Sequence, residues 1–93
     1  MKIVVTKLPA PRRVSLDEYC REKECYLRVV QIQKDPPQWN VSVAFESCGR
    51  EIAFISSPDP VEAASTLCPQ LSADGWVVYL SLGDAAMIKE ATK

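Results

Sequence analysis

Cys25-Tyr-Leu-Arg-Val-Val-Gln-Ile-Gln-Lys34, then Asp35-Pro-Pro-Gln38, then Trp39-Asn-Val-Ser-Val-Ala-Phe-Glu46, is the stretch that decides the fold. The first segment is rich in β-branched and aromatic residues and alternates, with Tyr26, Val30 and Ile32 on one side and Leu27 and Val29 on the other. The two prolines mark a turn, and the second segment alternates again. Trp39, Val41, Val43 and Phe45 are expected inward, and Asn40, Ser42 and Glu46 outward. One sheet face is therefore expected to be covered and the other wet.

Ser47-Cys-Gly-Arg50 reverses the chain, and Glu51 to Ser56 is expected to add Ile52 and Phe54 to the covered face. The result is a three-stranded antiparallel meander. On the C-terminal side, Asp59-Pro-Val-Glu62 starts a helix: a carboxylate cap, a proline at the first helical position and a glutamate three beyond the cap. Its apolar stripe is Val61, Ala64, Leu67, Cys68 and Leu71. Pro69 should end or kink it, and Asp74-Gly75 closes the segment. Trp76 to Leu82 reads as the last strand, with Trp76, Val78, Leu80 and Leu82 on one face. Asp84 is a candidate cap for a brief C-terminal helix, with residues 84–93 docked or frayed.

On the N-terminal side, Ser15-Leu-Asp-Glu18 matches a capping box and predicts a short helix through about Lys23, with Leu16, Tyr19 and Cys20 inward. Ile3 to Lys7 reads as a short strand. Between them, residues 8–14 form a Pro/Arg-rich connecting arm, because Pro9-Ala-Pro11 opposes regular pairing. The expected class is α+β: a small antiparallel sheet, the meander plus N- and C-terminal strands, with one or two short helices on one face. No repeat or linker argues for more than one domain over 1–93.

Composition bounds the function. Of 93 residues, 47% are hydrophobic and 25% charged, the profile of a folding globular chain. No apolar run approaches the roughly 20 residues that cross a bilayer, and no signal-peptide core is built, so a cytoplasmic location is expected. Cys20, Cys25, Cys48 and Cys68 contain no C-x-x-C pair, and there is no histidine. Reduced, structural cysteines and no metal are expected. Without histidine, Ser-His and Cys-His nucleophiles and the usual neutral-pH proton shuttle are missing. With glycine only at 49, 75 and 83, no phosphate-cradling loop can be written. The expectation is a protein that is not an enzyme, with no cofactor and no small-molecule substrate.

Charge points to where a partner would sit. Residues 1–34 carry eight basic and four acidic side chains, net +4, whereas residues 35–93 carry three and eight, net −5. Such a division marks either a surface for a polyanion or charged partner, or two segments that neutralise each other across the fold. Lys7, Arg12 and Arg13 border the arm and Arg21, Lys23 and Arg28 follow. These six are the candidate binding residues, and Arg12 and Arg13 lead because guanidinium groups suit phosphate and carboxylate.

The stretch Lys7-Leu-Pro-Ala-Pro-Arg-Arg-Val-Ser-Leu-Asp-Glu-Tyr19, followed by Glu22-Lys23 and Tyr26-Leu-Arg-Val-Val30, resembles a small phage-encoded anti-CRISPR that acts on type I surveillance complexes. That resemblance covers the first third of the chain. It implies a non-enzymatic inhibitor that docks on Cas backbone subunits and guide RNA and blocks recognition of target DNA. Arg12 and Arg13 would then meet guide-RNA phosphates or acidic Cas surface. The alternative is a small nucleic-acid-binding or regulatory domain of a phage or mobile element, with the meander as its platform.

Overall fold

The computed structural model describes residues 1–7, 10–73 and 75–93. Its elements run β1 (Arg12–Ser15), α1 (Leu16–Lys23), β2 (Cys25–Lys34), β3 (Pro37–Phe45), β4 (Glu51–Ser57), α2 (Pro60–Leu71), β5 (Trp76–Tyr79) and α3 (Leu82–Ala91). The class is α+β, as the alternation predicts. β2, β3 and β4 form the antiparallel meander, and β1 pairs in parallel with β5 as a separate two-stranded sheet.

The meander pairs Leu27 with Val43 and Val29 with Val41, and on the other side Val41 with Ile55 and Val43 with Ala53. These residues form the face beneath α2, which packs on both β3 and β4. Ile52 and Phe54, expected on that face, point the other way and are 37% and 61% exposed. An irregularity in the β3–β4 ladder between Val43 and Ala44 lies beside them. Small residues explain the choice. Ala53 is buried on the face that α2 covers, where Ala63 and Ala64 are fully buried, and a helix approaches a sheet closely only where side chains are short.

The opposite face is wet only at its margins. Ser42, expected outward, does point to that face together with Ala44, yet both are buried. Ser42 stands in register between Arg28 and Phe54, and Ala44 opposite Tyr26, so the long neighbours roof over the short central ones.

Helix starts follow the sequence closely. The Glu18 N–H donates to Ser15 Oγ at 3.2 Å, and Val61 N–H donates to Asp59 Oδ1 at 2.9 Å. Pro69 does not stop α2, which runs on to Leu71. α3 begins one turn earlier than expected. Its cap is Ser81, with Asp84 as the reciprocal member of a capping box, so Leu82 opens a helix at 92% exposure instead of closing a strand. The helix is docked through Ile88 and Asp84, 5% and 7% exposed.

The N-terminal expectation is corrected in part. Ile3 to Lys7 form no strand, and the strand lies instead in what reads as the arm: Arg12 N–H donates to Gly75 O at 2.7 Å, and residues 12–15 run beside 76–79. Leu8 and Pro9 of that arm, and Asp74 of the Asp74-Gly75 turn, lie outside the described residues. Gly75 adopts φ +81°, a left-handed conformation that disfavours a side chain. All eight elements contribute to one hydrophobic cluster, from Val14 on β1 through Leu67 on α2 to Ile88 on α3.

One residue pays an avoidable conformational penalty. Glu24 ends α1 at φ 54°, where a β-carbon crowds the following carbonyl. Its backbone carries the useful contacts, accepting from Glu46 N–H at 2.9 Å. Glu24→Gly should therefore raise unfolding stability by about 1 kcal/mol, read from urea titration; a loss would show that the side chain matters.

Candidate binding surface

The parallel β1–β5 register places Arg12 opposite Trp76 and Ser15 opposite Tyr79. Arg12 and Trp76 share the face that continues inward to Val14 and Val78, both buried, so the rings sit at the rim of the core. The Arg12 guanidinium lies 4.9 Å from the Trp76 ring centroid, and Lys23 Nζ, brought in by the last turn of α1, lies 4.6 Å from it. Tyr19 meets the same indole edge-on at 6.1 Å. Two cations thus share one aromatic seat.

Arg12 also reaches Glu22 Oε1 at 2.6 Å. Both side chains are largely exposed, and such a bridge is worth little in water. It holds the guanidinium over the ring without neutralising the patch, because Lys23 remains alongside. Arg13, on the other face of β1, lies over Tyr79 at 5.1 Å. Arg12, Arg13 and Lys23 therefore gather around the β1–β5 pair.

The other three candidates fall elsewhere. Arg21 is ion-paired with Asp17 one turn back on α1. Arg28 stands on the outward face of the meander, in register with Ser42. Lys7 belongs to an exposed N-terminal segment. The residues that sequence reasoning missed are aromatic: Trp76 reads as core by alternation, yet its ring is only half buried and carries the cations. The local signal for that role is weak, since the pairing that creates it joins residues more than sixty apart.

A cleft of about 320 Å³ opens between α1, β2 and α3, with Cys20, Cys25, Leu27 and Met87 among its walls. All four cysteines are free. Burial pushes the Cys20 thiol up to about 12, with further push from Cys25 and Asp17, and Cys68 up to about 11. Burial likewise raises Cys25. Thiols held this far above neutrality are poor nucleophiles, so the cleft carries no activated sulfur. Among the described residues, no three His, Cys, Asp or Glu side chains converge in a way that would hold a metal ion.

The fold and this surface define an α+β domain with a cation–aromatic patch at one end. No known family, curated protein or solved structure matches the chain. Among the described residues, no helix is long and apolar enough to cross a membrane.

Proposed function

We propose that the protein is a non-enzymatic inhibitor that binds a ribonucleoprotein through the patch formed by Arg12 and Lys23 on Trp76, with Arg13 on the other face of β1 as a flanking contact. The observation that carries this reading is the shared seat of Arg12 and Lys23 on Trp76. Cations held over a ring lose less side-chain freedom on meeting a phosphate than free ones do, so the patch is prepared for an anionic backbone. The acidic remainder of the chain favours a composite partner over bare nucleic acid, because it would repel a long polyanion and suits the basic surface of an RNA-binding protein. With the likeness of residues 7–30 to anti-CRISPR proteins, the specific partner is a type I surveillance complex in the cytoplasm of a host cell, with guide RNA meeting the patch.

The test is a titration of the immobilised protein with a type I complex assembled on guide RNA, at several salt concentrations. Tight, salt-sensitive binding is expected. Arg12→Glu with Lys23→Glu should weaken it by about 100-fold and lower the salt slope by about 2. Absence of binding, or binding indifferent to both charges, sinks the proposal.

A second reading rests on a different surface. Tyr26, Arg28 and Phe54 stand side by side on the outward face of the meander, over Ser42 and Ala44. Aromatic rings with an adjacent arginine make a platform on which single-stranded bases stack. Gel-shift titration with single-stranded RNA separates the readings, since this one requires loss on Phe54→Ala and tolerance of the Arg12 and Lys23 changes.

A further inference from the structure

Met1-Lys-Ile-Val-Val-Thr-Lys7 has the composition of a strand, yet Ile3, Val4 and Val5 are 72–76% exposed and pair with nothing among the described residues. The radius of gyration is 16.4 Å and the extents are 69 × 27 × 19 Å, against about 12 Å expected for a compact chain of this length. The segment stands clear of the body. Three β-branched or apolar residues in water are an invitation to association.

β4 supplies the matching half. It is an edge strand of seven residues, Glu51–Ser57, bonded only to β3 among the described residues. α2 covers its inner face, and among the described residues its outer edge has no backbone partner. Charge agrees as well as length. Lys2 and Lys7 bracket the apolar residues of the arm, while Glu51 begins β4 and Asp59 and Glu62 follow its end. β2, the other edge of the meander, carries Arg28 and Lys34 and is partly covered by α1, so it suits a basic arm less well.

We infer that residues 2–7 add as a fourth strand to the β4 edge of a second copy of this chain, in a reciprocal dimer. Strand addition satisfies the open edge with main-chain hydrogen bonds, and the apolar side chains of the arm extend the exposed row of Ile52 and Phe54. Reciprocal exchange about a two-fold axis uses both arms and both β4 edges and so closes the assembly at two copies. The arm's exposure argues against its own β4 as the acceptor.

Sedimentation velocity of the full chain over a range of concentrations should show twice the monomer mass. Val4→Pro removes a ladder donor in a segment outside the core, so it should weaken dimerisation by at least about tenfold with circular dichroism and melting temperature of the monomer unchanged. Lys2→Glu with Lys7→Glu should weaken it too, and Glu51→Lys in the same chain should restore part of the loss. A monomer at all concentrations, a dimer indifferent to Val4→Pro, or slow amide exchange of Ile3–Val5 in a monomer would each overturn the inference, the last because the arm would then be folded onto its own body.

Discussion

Leu67→Ala should lower the unfolding free energy by about 3–4 kcal/mol. Leu67 is among the largest fully buried side chains, with 0% exposure, and lies in the middle of α2, the helix that touches β3, β4, β5 and α3. Truncation removes the transfer energy of three carbons and leaves a hole that rigid neighbours on four elements fill poorly. A domain of this size holds about 5–14 kcal/mol in total, so one substitution takes a large share. The melting temperature should fall by roughly 15–25 °C, and urea titration should show a lower midpoint with an unchanged slope. Leu82→Ala is the matched control: the same atoms leave a side chain 92% exposed, and the cost should stay within about 0.5 kcal/mol. Equal effects at the two positions would mean that α2 does not seat the core.

The expected loss at Leu67 follows from a stripe that local pattern makes plain: Asp59-Pro60 starts α2, and Ala64, Leu67, Cys68 and Leu71 recur at helical spacing. The meander is equally legible, because its turns carry prolines and a glycine and its strands alternate. Parity across the β3–β4 turn is not. Ile52, Phe54 and Ile55 are the large residues of β4, and alternation from the turn assigns Ile52 and Phe54 inward, but the face beneath α2 takes Ala53 and Ile55 instead. What decides the matter is the volume between α2 and the sheet, which no strand sequence states. The N-terminal strand escapes for another reason. Pro11 immediately precedes it, and the strand that Arg12 opens pairs with a partner that follows the whole meander and α2 in the chain.

The binding patch shows the same division. That residues 7–28 are basic is visible at once, but charge along a chain does not say which side chains share a surface. α1 turns Lys23 toward Trp76 and Arg21 toward Asp17, and alternation on β1 sends Arg12 and Arg13 to opposite faces. Arg28 leaves the group altogether. Two of the six candidates, Arg12 and Lys23, converge on Trp76, Arg13 sits over Tyr79 on the other face, and both aromatic seats come from β5.

Asp84→Ala should cost about 3 kcal/mol, a large effect for a side chain that reads as a simple helix cap. Asp84 is 7% exposed, and its Oδ2 accepts from Leu16 N–H and from Ser81 N–H, both at 3.1 Å. Leu16 opens α1 and Ser81 caps α3. One carboxylate thus serves two helix starts sixty-odd residues apart, where backbone donors are unpaired and the helix dipoles favour negative charge. Removing it strands two N–H groups, of which that of Leu16 is buried, and each charge-assisted bond is worth about 1.5–3 kcal/mol. Asp84→Asn keeps an oxygen of similar size in place and removes only the charge, so about half the loss should return. That variant also carries an independent readout. The Asp84 charge adds to burial in raising both Cys20 and Cys68; with it neutralised, the thiolate absorbance of those two residues should appear at lower pH. Equal stability of the alanine and asparagine variants would show that the negative charge, not the hydrogen-bonding oxygen, joins the two helices.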